Sequence, residues 1–161
     1  MVQNIELSRG FKAIVDDNWH EMLSQVKWCV KECKSSAYAM CNVTVNGKHT
    51  TEMMHRVIMD APKGMHVDHI NGNGLDNRRE NLRLCTNSQN HMNRKTHRDS
   101  SSKYKGVSWN KRNSKWQAYI GSGIKRKNLG YFASESDAAK AYDIKAKECF
   151  GEFARLNLGE I

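Results

Sequence analysis

Asp68 and His69 stand side by side in Met65-His66-Val67-Asp68-His69-Ile70, a short run that leads into Asn71-Gly72-Asn73-Gly74. Neighbouring side chains on a strand point to opposite sides, so such a pair can do two things at once. One can hold a cation while the other handles a proton. Hydrolysis of a phosphodiester needs that division: a base to activate water, and a cation to neutralise charge on the phosphate and the leaving oxygen. Magnesium keeps several of its waters and asks for few protein ligands. A second oxygen ligand is then expected from the helix that follows, where Asn90 lies early.

The elements that must position these residues can be read locally. Residues 66–70 form a short strand, a Gly/Asn-rich loop follows, and residues 82–85 form a second short strand. Thr86-Asn87-Ser88-Gln89 has the form of a capping box, with Gln three residues after Thr, and opens a helix. The order is strand, loop, strand, helix. Asn71, Asn73 and Asn77 read as turn formers beside glycine. Taken singly, the other residues have structural readings too: Asp68 as a turn cap, His69 as a buried hydrogen-bonded imidazole, Asn81 as a bond to a loop carbonyl. A zinc site would recruit His66, His69 and His91. No cysteine pair accompanies them, and His66 and His69 fall on opposite faces of a strand.

This segment resembles the HNH (His-Me finger, ββα-metal) endonucleases over about residues 55–95. The motifs that carry the resemblance are Val67-Asp68-His69-Ile70 before Asn71-Gly72-Asn73, then Asp76-Asn77-Arg78-Arg79-Glu80-Asn81-Leu82-Arg83, then Asn87-Ser88-Gln89-Asn90 and Asn93-Arg94-Lys95. The resemblance implies His69 as general base and Asp68 as a metal ligand. It makes Asn81 the central Asn that orients the loop and the base, and Asn90 the second metal ligand, with the adjacent His91 in reserve. His55, in Met54-His55-Arg56-Val57, matches a His that often precedes the motif and is expected near the active site. The implied cofactor is Mg²⁺, with Mn²⁺ suited to the same ligands. Arg78, Arg79, Arg83, Arg94 and Lys95 are expected to grip phosphates of double-stranded DNA.

Residues 103–158 have a different character. Residues 103–110, 115–120 and 125–132 read as three strands, and Ser134-Glu135-Ser136-Asp137 opens a helix that stops at Gly151. Its alanines, with Tyr142, allow it to lie close on a sheet. The strands carry basic residues interleaved with Trp109, Trp116 and Tyr119, and a basic sheet with polar side chains can lie in a DNA major groove. The tryptophans also read as packing residues, Trp116 above all. This segment resembles the Apetala-two/ethylene-response-factor DNA-binding domain through Tyr104-Lys105-Gly106-Val107, Lys115-Trp116, Leu129-Gly130-Tyr131-Phe132, Ala141-Tyr142-Asp143 and Phe153-Ala154-Arg155-Leu156-Asn157. The DNA-reading positions implied are Lys105, Ser108, Asn110, Arg112, Tyr119, Arg126 and Asn128. Several differ in type from the plant domains, so no target sequence carries over.

Bulk properties agree with a nucleic-acid partner. The 161 residues hold 26 Lys and Arg against 17 Asp and Glu, a net charge of +9, with a pI of about 9.4 and a mean hydropathy of −0.76. The five cysteines form no paired knuckle and read as buried or indifferent thiols rather than disulfides. No signal peptide or membrane span is visible, so a cytoplasmic location in a bacterial or phage-infected cell is expected. The fold class expected is α+β: a ββα-metal nuclease module (52–97) with a β-rich extension before it (1–51). A Ser-rich linker (98–102) then leads to a three-stranded antiparallel sheet packed on one helix (103–158). Asn46-Gly47 predicts a hairpin in the extension, and residues 19–28 a short helix. The whole reads as a sequence-directed endonuclease of the homing or mobile-element type. A non-catalytic DNA-binding regulator on the same scaffold is the alternative.

Overall fold

The computed structural model describes residues 1–33, 36–96, 100–122 and 125–159. The chain is mixed α+β with small antiparallel sheets, and it divides into two compact units, Met1–Asn87 and Ser88–Ile161.

The first unit opens with the antiparallel pair β1 (Val2–Glu6) and β2 (Lys12–Asp16), followed by α1 (Asp17–Ser24). Three strands come next in the order β3 (Cys29–Glu32), β4 (Ala37–Val45), β5 (Lys48–Met53). The turn between β4 and β5 falls at Asn46-Gly47, where both residues take positive φ (51° and 75°) as a hairpin of this type requires. A one-and-a-half-turn helix, α2 (Met54–Ile58), leads to β6 (His66–His69), which pairs antiparallel with β7 (Leu82–Cys85). One core spans these pieces: Ile5, Val15, Leu23, Trp28, Met54, Ile58, Val67 and Leu82 all belong to it. The N-terminal segment is thus packed into the same core as β6 and β7. The helix expected over 19–28 is shorter and earlier, because Trp28 leaves it to enter the core and donates its Nε1–H to the Leu23 carbonyl at 2.9 Å.

The second unit starts within α3 (Asn87–Met92) and contains β8 (Val107–Asn110), β9 (Lys115–Ser122), β10 (Lys125–Phe132) and α4 (Glu135–Phe150). The strands form an antiparallel sheet in the order β10-β9-β8. Ser134 caps α4 by accepting from the Ser136 N–H at 3.2 Å, and Glu135 and Asp137 occupy its first turn. Ala138, Ala139, Tyr142 and Ala146 are buried against Val107, Ala118 and Ile120. Behind that layer the buried Asp143 carboxylate accepts from the N–H groups of Asn157 and Leu158 at 2.8–2.9 Å, and Asn157 Oδ1 in turn accepts from Lys105 N–H at 2.7 Å. This fastens the C-terminal segment beside the start of β8.

Part of the expected linker is structured. The Ser102 hydroxyl is buried and donates to Glu135 at 2.7 Å, and the Ser101 hydroxyl accepts from the Trp109 N–H at 3.0 Å. Residues 98 and 99 of that linker, with His97, lie outside the described residues. The first strand of the sheet begins at Val107 rather than 103, since residues 103–106 turn at Gly106. All five cysteines are free; Cys41 and Cys85 are buried. Among the described residues no helix is long and apolar enough to cross a membrane.

Candidate active site and nucleic-acid interface

His69 ends β6 and is buried. Its Nε2 lies 3.3 Å from Oδ1 of Asn77. The other end of that amide, Nδ2, donates to the Leu75 carbonyl at 3.3 Å, which fixes the amide's orientation. The imidazole therefore donates from Nε2 and carries its lone pair on Nδ1. Burial holds the His69 pKa below its ordinary value, against the opposing pull of the Asn77 bond and of Asp68 and Asp76. The neutral ring is the form that accepts a proton.

Asn77 is fully buried, and its backbone N–H donates to the Ile14 carbonyl at 2.7 Å. A strand of the N-terminal segment, β2, thus sets the position from which Asn77 meets the imidazole. The type and spacing of Asn77 suggest only a turn; what singles it out is the ring it faces. Asn81 has a separate task. Its Oδ1 accepts from the Asn71 N–H at 3.0 Å, and its Nδ2 donates to the Asp76 carbonyl at 2.8 Å, so it ties the loop to itself. Asn71 and Asn73 do form side-chain turns, their Oδ1 atoms accepting from the N–H two residues on.

His55, from α2, brings its ring within 5.0 Å of His69 at 87°. Tyr38, from β4, lies 5.8 Å from each histidine. His55 is buried, and its Nδ1 is the single buried side-chain polar atom among the described residues without a hydrogen-bond partner. Burial, followed by the nearby His69 and Arg56, lowers the His55 pKa to about 3. It is neutral under any physiological condition.

Asp68 and Arg83 are partners across the β6–β7 ladder. The Asp68 carboxylate is buried, and its Oδ2 accepts from Arg83 Nε at 2.9 Å and Nη2 at 2.7 Å. Arg78 also turns inward. Its Nε and Nη2 donate to the two oxygens of buried Asp76, each at 2.8 Å, and Nη1 donates to Glu80 at 2.6 Å. These guanidinium bonds hold Asp76 below the usual carboxylate range. Arg79, Arg94 and Lys95 are exposed.

Among the described residues no group of three or more His, Cys, Asp or Glu side chains is arranged to hold a metal ion. His66 is exposed while His69 is buried, which speaks against a zinc site built on both. Asp68 supplies carboxylate oxygen directly beside His69. That donor chemistry suits a hard divalent cation, which retains most of its waters. Asn90 is half-buried and His91 exposed, both on α3.

In the second unit, pairing register sorts the sheet into two faces. Val107 and Trp109 of β8 oppose Ala118 and Trp116 of β9, and Phe132 of β10 opposes Trp116. These residues share one face, where Val107, Ala118, Trp116 and Phe132 pack with Ala138 and Ala139 of α4, while Trp109 stays exposed and meets Trp116 edge to face at 5.1 Å. The tryptophans are therefore not interleaved with the polar side chains. The other face carries Ser108, Asn110, Lys115, Gln117, Tyr119, Arg126, Asn128 and Tyr131, with Arg126 4.7 Å over the Tyr119 ring. Five of the seven expected DNA-reading residues share it, and sequence reasoning missed Gln117 and Tyr131. Arg112 is exposed in the β8–β9 turn. Lys105 is directed elsewhere, its ammonium donating to the Met92 carbonyl at the end of α3.

Residues 52–92 match the sequence model of HNH endonucleases. An uncharacterized HNH endonuclease, L560, of Acanthamoeba polyphaga mimivirus is 31% identical over 156 residues, covering 94% of this chain and 78% of its own. Protein 3.8 of Escherichia phage T7 is 35% identical over 95 residues, covering 59% of this chain and 78% of its own. No solved structure matches the chain.

Proposed function

The chain belongs to the HNH endonuclease family, and from that premise we propose that it is a divalent-metal-dependent DNA endonuclease of the homing or mobile-element type, directed to its site by the C-terminal sheet. The observation that carries the catalytic part is His69: a buried, neutral imidazole next to Asp68, its Nε2 bound by Asn77, within the matched segment.

His69 Nδ1 takes a proton from the attacking water, and Asn77 keeps the imidazole in the tautomer that can do so. Asp68 is assigned as one metal ligand, and motif order assigns Asn90 as the other, with His91 in reserve. A bound Mg²⁺ or Mn²⁺ would neutralise charge on the scissile phosphate and the leaving 3′ oxygen. Asn81 and the Asp76–Arg78 pair keep the loop rigid. Arg79, Arg94 and Lys95 are assigned to backbone phosphates.

Residues 103–158 are assigned as an Apetala-two/ethylene-response-factor-like domain in this reading. What supports it is the polar face opposite α4, which gathers Ser108, Asn110, Tyr119, Arg126 and Asn128. Such a face can present donors and acceptors to base edges.

Cleavage of a supercoiled plasmid carrying candidate target DNA, with magnesium or EDTA, tests the proposal. Wild type is expected to cut only with magnesium, and His69→Ala to bind but lose most cleavage. Tight binding with no cleavage under any divalent metal would leave a DNA-binding protein on a nuclease scaffold.

A further inference from the structure

We propose that Tyr38, delivered by the N-terminal three-stranded sheet, is a positioning residue that holds the His69 imidazole in its reactive orientation. The inference rests on the reading of His69 as general base.

The bond to Asn77 holds Nε2 of the imidazole at 3.3 Å. Packing also bears on the plane of the ring. That packing is aromatic: Tyr38 is 5.8 Å from His69 at 55° and 5.8 Å from His55 at 67°, and the two histidines are 5.0 Å apart at 87°. Tilted and edge-on contacts at these separations are the favourable ones for rings, and two of them, from Tyr38 and His55, bear on the His69 ring while the third braces Tyr38 against His55.

The approach of Tyr38 is built into the loop that follows His69. A β-carbon on Gly74 would lie 2.5 Å from the Tyr38 ring and 2.4 Å from the Ala37 carbonyl oxygen. Gly74 N–H also donates to the Ser36 hydroxyl at 3.3 Å. Glycine at 74 therefore lets the start of β4 seat on the active-site loop. Tyr38 is only half-buried, and the hydrophobic cluster of this unit is built from other residues. Its ring is placed against the histidines rather than used to fill the core. The N-terminal segment thereby completes the site twice, through Ile14 under Asn77 and through Tyr38 against His69.

The test compares the full-length wild type with Tyr38→Phe, Tyr38→Leu and His69→Ala on plasmid DNA in magnesium. Enzyme is saturating, so the rate reads the step after binding. Melting and DNA binding are measured alongside. Because a small misplacement of a reacting group costs up to about 100-fold, Tyr38→Leu is expected to cleave about 10- to 100-fold more slowly with binding kept, and Tyr38→Phe to stay within about 3-fold of wild type. Nuclear Overhauser contacts of the His69 ring protons with His55 and Asn77 should weaken in Tyr38→Leu and be kept in Tyr38→Phe.

A folded Tyr38→Leu variant that cleaves at the wild-type rate overturns the proposal. So does a Tyr38→Phe variant as slow as Tyr38→Leu, since the hydroxyl would then be responsible. Should Tyr38→Leu unfold, Tyr38→Met fills the same space without a ring and is read the same way; unfolding of both overturns the proposal, since Tyr38 then serves the fold. Full activity of His69→Ala would remove the general-base reading separately, while the His69 ring contacts in the Tyr38 variants still report whether Tyr38 sets the ring.

Discussion

His69 is tuned by what surrounds it. A buried imidazole resists protonation, and the Asn77 oxygen decides which nitrogen keeps the lone pair. If His69 is the base, as proposed, removing that oxygen in Asn77→Ala is expected to slow cleavage by about 10- to 100-fold through misorientation of the imidazole. Single-turnover rates measured beside DNA affinity check this, because affinity should hardly change. The two histidines also make the fold sensitive to acid. His55 titrates at about 3 in the folded chain against 6.5 for a free histidine, and His69 is lowered in the same direction. The unfolded chain therefore binds protons below about pH 6.5 that the folded chain refuses. Stability is present above that pH and is lost as pH falls from there toward the folded values, by up to about 1.4 kcal/mol per pH unit for each histidine. Urea unfolding between about pH 7.5 and pH 5 measures the slope. In His55→Leu the slope should be shallower.

At the scale of elements, the junction of β8 with α4 depends on a missing side chain. Gly106 has φ +74°, and a β-carbon there would sit 2.1 Å from the Tyr142 ring and 2.7 Å from the Tyr119 carbonyl oxygen. Gly106→Ala combines an unfavourable backbone conformation with overpacking of a buried ring, a cost of about 2–4 kcal/mol. Earlier loss of amide hydrogen-exchange protection in β8 and β9 as urea rises would report it in the second unit. The β6–β7 pair is short, four residues each, and carries Asp68 and Arg83 in register. A one-residue slip would reverse the side chains of a strand and remove that pair. Val67 and Leu82, buried in the common core, hold the register.

For the molecule as a whole, the net charge of +9 favours a polyanion. Binding that releases counterions from DNA weakens with salt, so raising sodium chloride from about 50 to about 200 mM should lower affinity by more than about 10-fold. Fluorescence anisotropy with duplex DNA measures the slope. The two units should respond differently to mutation. Arg126→Ala with Asn128→Ala alters the outward face of the sheet, and should cost about 10-fold or more in affinity for the preferred site while leaving non-specific binding closer to wild type. Equal losses on both DNAs would take sequence reading away from this face.

Short-range rules made much of this protein legible from its sequence. The Asn46-Gly47 turn, the bounds of β7 and β10, and the start of α4 at Glu135 with its stop before Gly151 follow from turn chemistry, alternation and capping, all of which act within a few residues. The Asp68–His69 pair was visible for the same reason, as two functional types at adjacent positions. Tertiary structure decided the rest. Asn77 looks like a turn residue until the fold places it against the imidazole, and Tyr38 and Ile14 reach the site from far earlier in the chain. Arg78 and Arg83 read as phosphate contacts, and the fold gives each a carboxylate partner; Trp116 packs towards the helix while Trp109 stays exposed beside it. Which side chains meet across such distances depends on how the strands pack into one core, and local preference carries no record of that packing.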